Sequence, residues 1–216
     1  MNLIAQVITL MMLIKKGAEA DIYLIDWYGK KAISKIRKPK TYRNKFLDEE
    51  IRKKRTLHEA ELLSSAKKAG VTTPTIYFVD PENSEIIMQH VKGKLVRDIL
   101  TGHSAKICRG MGIYTGKLHK NNIVHGDLTT SNFILNDGKL LLIDFGLSFY
   151  SDRNEDKAVD IRLIKEIMSS AHAQIFEKAF GAFIKGYSSV LGKSYVAKIL
   201  GKVSEIEKRG RYARVV

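Results

Sequence analysis

The stretch IVHGDLTTSNFILNDGKLLLIDFG, residues 123–146, decides the fold of this chain. Its second half predicts a β-hairpin, because the apolar runs Phe133–Leu135 and Leu140–Ile143 flank Asn136-Asp137-Gly138, which is typical of a tight turn. A polar loop precedes the first strand, and the second strand ends at Asp144. The stretch therefore predicts a loop, a hairpin and a strand end held at one place.

Three polar side chains flank this hairpin. Asp127 and Asn132 lie in the loop before it, and Asp144 follows its second strand. Hard cations prefer oxygen ligands, and Mg²⁺ is typically bound by one or two carboxylates together with phosphates. Two carboxylates and an amide at one hairpin therefore indicate a magnesium phosphate site.

The composition is that of a globular protein with excess positive charge. The 216 residues are 44% hydrophobic and 28% charged, which suits one domain or two small lobes sharing a cleft. The net charge of +14 predicts an anionic partner, either a nucleotide, a nucleic acid or an acidic protein surface, although a solvated basic face is the alternative. Cys108 is the only cysteine, which excludes a disulfide framework and favours a cytoplasmic protein.

The first residues, Met1–Ile14, are mostly apolar but are interrupted by polar residues. They are shorter than the roughly 20 residues that span a bilayer, and they lack a basic start and a small-residue cleavage site. We expect an extension leading into the first strand, no membrane segment, and a translation start at Met1, Met11 or Met12.

The hydrophobic pattern predicts an antiparallel sheet and one long helix in the first part of the chain. Acid and base residues four apart in Thr41–Ala69 favour a helix, with Gly70 as its C-cap. The predicted pairs are Asp48–Arg52, Glu49–Lys53, Glu50–Lys54 and Arg55–Glu59, and the apolar stripe contains Leu47, Ile51, Leu62 and Leu63. The predicted strands are Met12–Lys16, Asp21–Trp27, Lys31–Ile36, Pro74–Val79 and Glu85–His90.

The second part of the chain is predicted to be mainly helical outside the opening hairpin. Gly110, Gly112 and Gly116 weaken one helix and indicate close packing there. We expect His119 to be structural, Leu147–Glu155 to be a loop, and residues 210–214 to form a mobile basic tail. The predicted helices are Leu95–Leu100, Ser104–Lys120, Asp156–His172, Ala173–Leu191 and Tyr195–Lys208.

In combination these segments resemble the protein-kinase superfamily over nearly all the chain after residue 12. The loop-and-hairpin spacing is the HxD…N…DFG arrangement, and Ala32–Lys35 resembles the V-A-I-K strand. The resemblance is closer to the small atypical kinase subunit of the KEOPS (EKC) complex. It is carried by GAEADIY (17–23), the run from Lys35 to Arg43, RTLHEAELL (55–63), HGDLTTSN (125–132), DFGLS (144–148), EDKAVDI (155–161) and RGR (209–211). Rio-type kinases share the GxEAxxY-like loop and HGD, but they usually lack the intact DFG.

The resemblance implies an α+β, minimal bilobal kinase-like fold. Residues 1–91 would form an N-lobe with an antiparallel sheet and helix C, and residues 92–216 a reduced helical C-lobe. It implies ATP as the nucleotide, with Mg²⁺ or Mn²⁺. The glycine loop holds one glycine where kinases usually have three, so taken alone it is a weak signal.

The same resemblance implies a role for each site residue. Lys35 would hold the α- and β-phosphates and be oriented by Glu59, with Glu61 as the alternative partner. Asp127 would orient the nucleophile, and Asp160 would anchor the catalytic loop. The nucleotide would contact Gly17, Ala18, Glu19, Ala20, Lys35, the backbone of Gln89 and Val91, Asn132 and Asp144. The metal ligands would be Asn132 and Asp144.

Two departures from ordinary protein kinases restrict the expected activity. The loop reads HGD rather than HRD, so the arginine that pairs with a phosphorylated activation loop is missing, and Thr129 stands where many kinases have a lysine. Only residues 145–216 follow Asp144, without an A-P-E segment. The chain thus has the residues for handling ATP, but it lacks the usual platform for protein substrates.

The resemblance therefore implies an ATP-dependent atypical serine/threonine kinase or ATPase that supports threonylcarbamoyl-adenosine (t6A) modification of tRNA. Its partners would be KEOPS subunits, chiefly the metal-containing threonylcarbamoyl transferase subunit, and tRNA directly or through the complex. A small-molecule phosphotransferase and a nucleotide-sensing scaffold subunit are the alternatives. The candidate surface for an anionic partner contains Lys38, Lys40, Arg43, Arg52, Lys53, Lys54, Arg55 and the arginines of the tail.

Overall fold

The computed structural model describes residues 11–212, with backbone only for residues 210–212. Residues 1–10 of the expected extension and residues 213–214 of the expected basic tail therefore lie outside the described residues. The described residues group into two compact units. The first unit is made of two segments, the residues up to Ser64 and Pro74–Lys92. The second unit is made of Ser65–Thr73 and the residues from Gly93 onward. The predicted lobes, residues 1–91 and 92–216, stay a prediction.

The first unit contains an antiparallel sheet of five strands and most of one long helix. The order in the sheet is β1-β2-β3-β5-β4. Alternate residues of β3 face opposite sides, because successive side chains of a strand alternate. The elements are β1 (Met11–Lys16), β2 (Ala20–Trp27), β3 (Lys30–Arg37), α1 (Lys45–Lys68), β4 (Ile76–Asp80) and β5 (Glu85–Gln89).

The two sides of this sheet carry different cores. Ala32 packs with Ile25 and Ile87 on one side. Ile33 packs against Ile86 and a residue of α1 on the other. Odd-numbered residues of β3 therefore face α1, which places a charged residue such as Lys35 on the helix side of the sheet.

Helix α1 begins later than the sequence pattern suggests. The side-chain oxygen of Asn44 accepts hydrogen bonds from the backbone N–H groups of Phe46 (3.0 Å) and Leu47 (3.4 Å), which makes Asn44 the N-cap. The predicted start at Thr41 is therefore wrong. At the other end Gly70 has φ +80°, and the N–H of Val71 donates to Ala66 O at 3.0 Å, which confirms the glycine C-cap.

The predicted ion pairs along α1 are only partly present. Arg52 contacts Asp48 at 2.7 Å as expected, and Lys54 lies 4.0 Å from Glu50. Lys53 instead pairs with Glu82, and Arg55 reaches outside the helix. The predicted stripe is correct for Leu62 and Leu63, which are buried, but Leu47 is exposed. Helical spacing alone does not reveal a stronger partner on a neighbouring element.

The second unit contains helices and two small sheets. One sheet has the order β6-β8-β9, and the other pairs β10 with β7. No helix among residues 11–212 combines the length and apolar character needed to cross a membrane. The elements are β6 (Lys94–Leu95), α2 (Val96–Ile99), α3 (Ala105–Lys120), β7 (Ile123–Val124), β8 (Phe133–Asn136), β9 (Lys139–Leu142), β10 (Phe149–Tyr150), α4 (Asn154–Ala171), α5 (Phe176–Leu191) and α6 (Lys193–Tyr212).

The predicted hairpin is confirmed. Asn136 pairs with Lys139, and the turn residues Asp137 and Gly138 have φ values of +47° and +75°. Positive φ at both central residues is typical of the type I′ turn, whose twist matches that of the strands. The strands meet in the register that pairs Phe133 with Leu142. The hairpin therefore fixes both ends of the polar stretch.

Two predictions for the second unit are wrong. The segment after DFG is not wholly a loop, because Phe149 and Tyr150 form β10 and pair with Val124 and Ile123. The helix predicted over Tyr195–Lys208 instead spans Lys193–Tyr212 as α6, and it includes the first residues of the predicted tail. In both cases the neighbouring residues in the sequence are polar or charged, so the hydrophobic pattern does not indicate the strand or the end of the helix.

Close packing of α3 against α5 explains two of the three glycines in α3. A Cβ at Gly112 would lie 1.9 Å from the carbonyl oxygen of Phe183, and one at Gly116 would lie 2.9 Å from Val190. The backbones of the two helices thus approach closely, as the sequence predicted. Gly186 of α5 makes the reciprocal approach, because its Cβ would lie 2.0 Å from Arg109 O.

We expect Gly112→Ala to destabilise the protein by about 3 kcal/mol, because the added methyl group has no space between the two helices. Gly181→Ala is the matched control, since Gly181 lies in α5 with nothing within 4 Å of an added Cβ. This control should gain about 1 kcal/mol from helix propensity. Urea unfolding of both variants measures the difference, and equal stability would contradict the proposed packing.

Candidate active site

The glycine loop between β1 and β2 is a tight turn. The N–H of Gly17 donates to Ala20 O at 3.1 Å and lies 3.3 Å from a carboxylate oxygen of Asp21. A Cβ at position 17 would lie 2.4 Å from Ala20 O. This turn therefore needs glycine at its first position, which explains why the loop retains that single glycine.

Basic side chains from outside the loop hold it in place. Glu19 pairs with Lys40 at 3.3 Å and Arg55 at 3.0 Å, while Lys40 also donates to Ala18 O at 2.7 Å. Burial alone would raise the pKa of Glu19. The hydrogen bond from Lys40 and the charges of Lys40, Arg55 and Arg43 outweigh it and lower that pKa. The predicted nucleotide loop is thus tied to the segment before α1 and to α1 itself.

Lys35 and Glu59 form a buried ion pair. The Nζ atom of Lys35 lies 2.5 Å from Oε1 of Glu59. Lys35 is 8% exposed and Glu59 1%, whereas Glu61 is exposed. The structure therefore selects Glu59 over Glu61 as the partner of Lys35, and the pairing predicted from the sequence is present.

The sequence did not reveal that a second cation shares this carboxylate. Arg37 follows Lys35 by two residues on β3, and its NH2 atom lies 2.5 Å from Oε2 of Glu59. The signal was present in the sequence, because residues two apart on a strand face the same side. Arg55–Glu59, predicted as a pair along the helix, does not form because Glu59 turns toward the sheet.

The predicted basic surface of the first unit is largely neutralised. Each of its seven lysines and arginines lies within 4.0 Å of a carboxylate. The pairs are Lys38–Asp21, Lys40–Glu19, Arg43–Asp48, Arg52–Asp48, Lys53–Glu82, Lys54–Glu50 and Arg55–Glu19. These charges hold the loop, the β4–β5 turn and α1 together, so the excess charge that would attract an anion is smaller here than the sequence suggests.

The segment after β5 carries the predicted adenine contacts. The backbone N–H of Gln89 donates to Thr75 O at 2.8 Å, and the side-chain Oε1 of Gln89 accepts from Thr75 N at 3.3 Å. The backbone N–H of Gln89 is therefore occupied within the first unit, and the contact of Gln89 with adenine stays a prediction. Val91 lies beyond the end of the strand.

In the second unit, Asn132 contacts Asp127 in a way that fixes the orientation of its amide. Its Nδ2 atom donates to the backbone oxygen of Asp127 at 2.7 Å and to Oδ2 of Asp127 at 2.9 Å. The reverse orientation would bring oxygen against two oxygens. The side-chain oxygen Oδ1 of Asn132 is thus directed away from Asp127, and Oδ1 accepts no hydrogen bond within residues 11–212.

The hairpin brings the backbone before Asp144 next to Asn132. The N–H of Ile143, the residue before it, donates to Asn132 O at 2.9 Å. Asp144 itself has φ +63°, and its Oδ1 accepts from Gly146 N at 3.3 Å. The turn of the backbone exposes the carboxylate. The structure therefore brings Asp127, Asn132 and Asp144 together, as the spacing of the sequence predicted.

A buried carboxylate anchors the loop that carries Asp127. Oδ2 of Asp160 accepts from His125 N at 2.7 Å, and Oδ1 accepts from Gly126 N at 2.9 Å. His119 lies 3.2 Å from Oδ2 of Asp160 and 2.8 Å from the hydroxyl of Tyr187. Burial raises the pKa of Tyr187, so its hydroxyl stays protonated. Asp160 and His119 have the structural roles predicted for them.

The glycine of HGD is required by the backbone. Gly126 has φ +78°, and a Cβ there would lie 2.2 Å from Leu147 O. A side chain at this position would be strained in conformation and would also clash. The absence of the usual arginine thus accompanies a close approach of two backbone segments.

Comparison with known proteins agrees with this geometry. The protein kinase domain family matches residues 16–170. The KEOPS complex subunit Bud32 of Pyrococcus abyssi is 43% identical over 212 residues, which cover 94% of this chain and 96% of that protein. This chain belongs to the Bud32 family of atypical protein kinases.

A longer relative has a Bud32-like part. A probable bifunctional tRNA threonylcarbamoyladenosine biosynthesis protein of Methanobrevibacter smithii is 44% identical over 200 residues, 93% of this chain. The chain spans only 36% of that relative's length. The fold of a Rio2 kinase–ADP/Mg²⁺–phosphoaspartate complex from Chaetomium thermophilum matches with a TM-score of 0.67 and 13% identity, covering 97% of this chain and 74% of that one. The expected kinase-like α+β fold is confirmed.

The donor set fits Mg²⁺ held partly by phosphates. Among the described residues, no three acidic, histidine or cysteine side chains come together as a complete metal site. The carboxylate of Asp144 and the side-chain oxygen of Asn132 would supply hard ligands, and phosphate or water oxygens would supply the others. A structural zinc site would need more protein ligands than this group offers.

We expect Asp160→Ala to lower the free energy of unfolding by about 3–5 kcal/mol, because it leaves two buried N–H groups and His119 without their acceptor. Asp98→Ala is the control, since Asp98 is exposed on α2. Chemical denaturation of both variants provides the measurement. A loss as small as that of the control would contradict the anchoring role of Asp160.

Proposed function

We propose that this chain binds ATP with Mg²⁺ and transfers or hydrolyses its γ-phosphate in support of t6A modification of tRNA. The observation that carries the proposal is the orientation of Asn132, whose amide nitrogen binds Asp127 and whose oxygen remains for a cation. The Rio2 kinase with a similar fold was solved with ADP and Mg²⁺, which supports the same ligands here. Mn²⁺, which also takes oxygen ligands, would substitute for Mg²⁺.

Each residue has a role in this proposal. Asp144 and Asn132 would hold Mg²⁺, which would supply positive charge against the phosphate oxygens. Lys35, oriented by Glu59, binds the α- and β-phosphates. Asp127 orients a hydroxyl or a water molecule and accepts its proton late in the transfer.

The remaining nucleotide contacts are made by backbone groups and by the glycine loop. Gly17, Ala18, Glu19 and Ala20 would cover the phosphates. The carbonyl of Gln89 and the N–H of Val91 would bind adenine. Because these contacts use the backbone, they tolerate the departure from the usual three-glycine loop.

The proposed partners are KEOPS subunits, chiefly the metal-containing threonylcarbamoyl transferase subunit, with tRNA bound directly or through the complex. The bifunctional relatives support this, because the part that matches this chain fills about a third of a longer protein named for tRNA threonylcarbamoyladenosine biosynthesis. Two activities joined in one chain in some organisms are expected to associate as separate chains in others. Such a complex would act in the cytoplasm, where tRNA is available.

We expect Asp127→Ala and Asp144→Ala to reduce ATP turnover at least about 100-fold, because one removes the group that orients the nucleophile and the other a metal ligand. Asp98→Ala should retain wild-type turnover. Phosphate release measured with saturating Mg²⁺ tests this, and circular dichroism checks that each variant is folded. Wild-type turnover in either variant would refute the role assigned to that residue.

A second experiment tests the setting in which ATP is used. We expect ATP turnover to rise when the transferase partner and tRNA are added, because the proposed function uses ATP within the assembled complex. If Asp127→Ala still supports t6A formation by the assembled complex, the chain acts as a scaffold and its turnover is incidental. If turnover responds to hydroxylated small molecules instead, it is a small-molecule phosphotransferase.

A further inference from the structure

Two cations share the carboxylate of Glu59, and they bind different oxygens. Lys35 lies 2.5 Å from Oε1, and the NH2 atom of Arg37 lies 2.5 Å from Oε2. Arg37 is 4% exposed and Glu59 1%, so water screens neither contact effectively. A charged hydrogen bond in such surroundings is shorter and stronger than one at the surface.

Arg37 has a second contact on the same helix. Its NH2 atom lies 3.4 Å from the backbone oxygen of Arg55, one turn before Glu59. The guanidinium group therefore connects β3 to α1 at both a carboxylate and a backbone oxygen. A lysine could not make both contacts with the same fixed geometry, because only the guanidinium group presents donors in a rigid plane.

One nitrogen of the Arg37 guanidinium group has no partner within the part of the chain that the structure describes. The Nε atom of Arg37 is buried and has no hydrogen-bond partner among the described residues. Burying a polar atom without a hydrogen-bond partner is costly, so this arrangement is unexpected if Arg37 only stabilises the fold.

The division of the carboxylate gives Arg37 a defined effect on Lys35. With Oε2 held by Arg37, the carboxylate cannot rotate to bind Lys35 through both oxygens. Lys35 then meets Glu59 through a single oxygen, Oε1, at a fixed position.

We propose that Arg37 is a positioning residue for the nucleotide reaction. It fixes the carboxylate of Glu59 so that Glu59 orients Lys35, and it does not itself contact the phosphates. This inference rests on the proposed function, and it assigns to Arg37 a role that acts only through Glu59.

The test is a double-mutant cycle on MgATP binding with Arg37→Met, Glu59→Gln and the combined variant. Arg37→Met should weaken MgATP binding about tenfold, the size expected when a charged hydrogen bond that positions Lys35 is lost. Adding Arg37→Met to Glu59→Gln should cause no further loss, because Arg37 acts only through Glu59. Isothermal titration provides the affinities, and steady-state assays separate KM from kcat.

Arg37→Lys keeps the positive charge, and it tests the proposal even if Arg37→Met does not fold. It should bind MgATP more tightly than Arg37→Met and less tightly than the wild type. Lys165→Met is the control, because Lys165 also makes an ion pair between two elements, 2.8 Å from Glu207, in the other unit. It should lower the melting temperature without changing MgATP affinity.

Three results would overturn the inference. If Arg37→Met bound MgATP as tightly as the wild type and only its melting temperature fell, Arg37 would have a purely structural role. Additive losses in the combined variant would indicate direct contact with the nucleotide. Equal affinities of Arg37→Lys and the wild type would show that charge alone suffices. Failure of the proposed function is distinct, because then the wild type and Asp144→Ala would bind MgATP equally weakly.

Discussion

The carboxylate of Asp160 is the contact on which the second unit depends most. It accepts two backbone N–H groups from consecutive residues, His125 and Gly126, and so determines the path of the chain just before Asp127. The hairpin that follows Asn132 returns the chain to the same place, through the hydrogen bond of Ile143. The geometry of three polar side chains thus depends on one buried acid on α4, supported by His119 and Tyr187.

The first unit is also organised around one buried carboxylate, but the groups that contact this carboxylate are charged. Glu59 receives two cations, whereas Asp160 receives neutral backbone donors and a histidine. The segment of α1 around Arg55 and Glu59 therefore holds both the glycine loop, through Glu19, and the strand that carries Lys35. One helix turn connects the two elements predicted to contact the phosphates. Most charged residues of this helix form ion pairs within the first unit, so fewer unpaired charges remain to attract an external partner.

Much of the fold and of the candidate site could be predicted from the sequence, because the informative signals were local. The hairpin at 133–142 follows from an Asp-Gly turn between apolar strands, and Gly70 ends α1 as its position predicted. The pairing of Lys35 with Glu59 rested on a recognised motif. Two features escaped prediction for different reasons: the local cap at Asn44, which sets the start of α1, was overlooked, and β10 depends on a distant contact with β7. The role of Arg37 was not predicted, because it depends on the direction of the Glu59 side chain, which the sequence does not give.

The close approach of Gly126 to Leu147 O has an evolutionary consequence. A conventional kinase loop cannot be recovered here by exchanging one amino acid, since arginine at position 126 would need a new backbone path for both the HGD loop and the residues after DFG. Intermediates along such a route would each carry the clash without yet having the benefit. Control by activation-loop phosphorylation is thus hard for this lineage to reach.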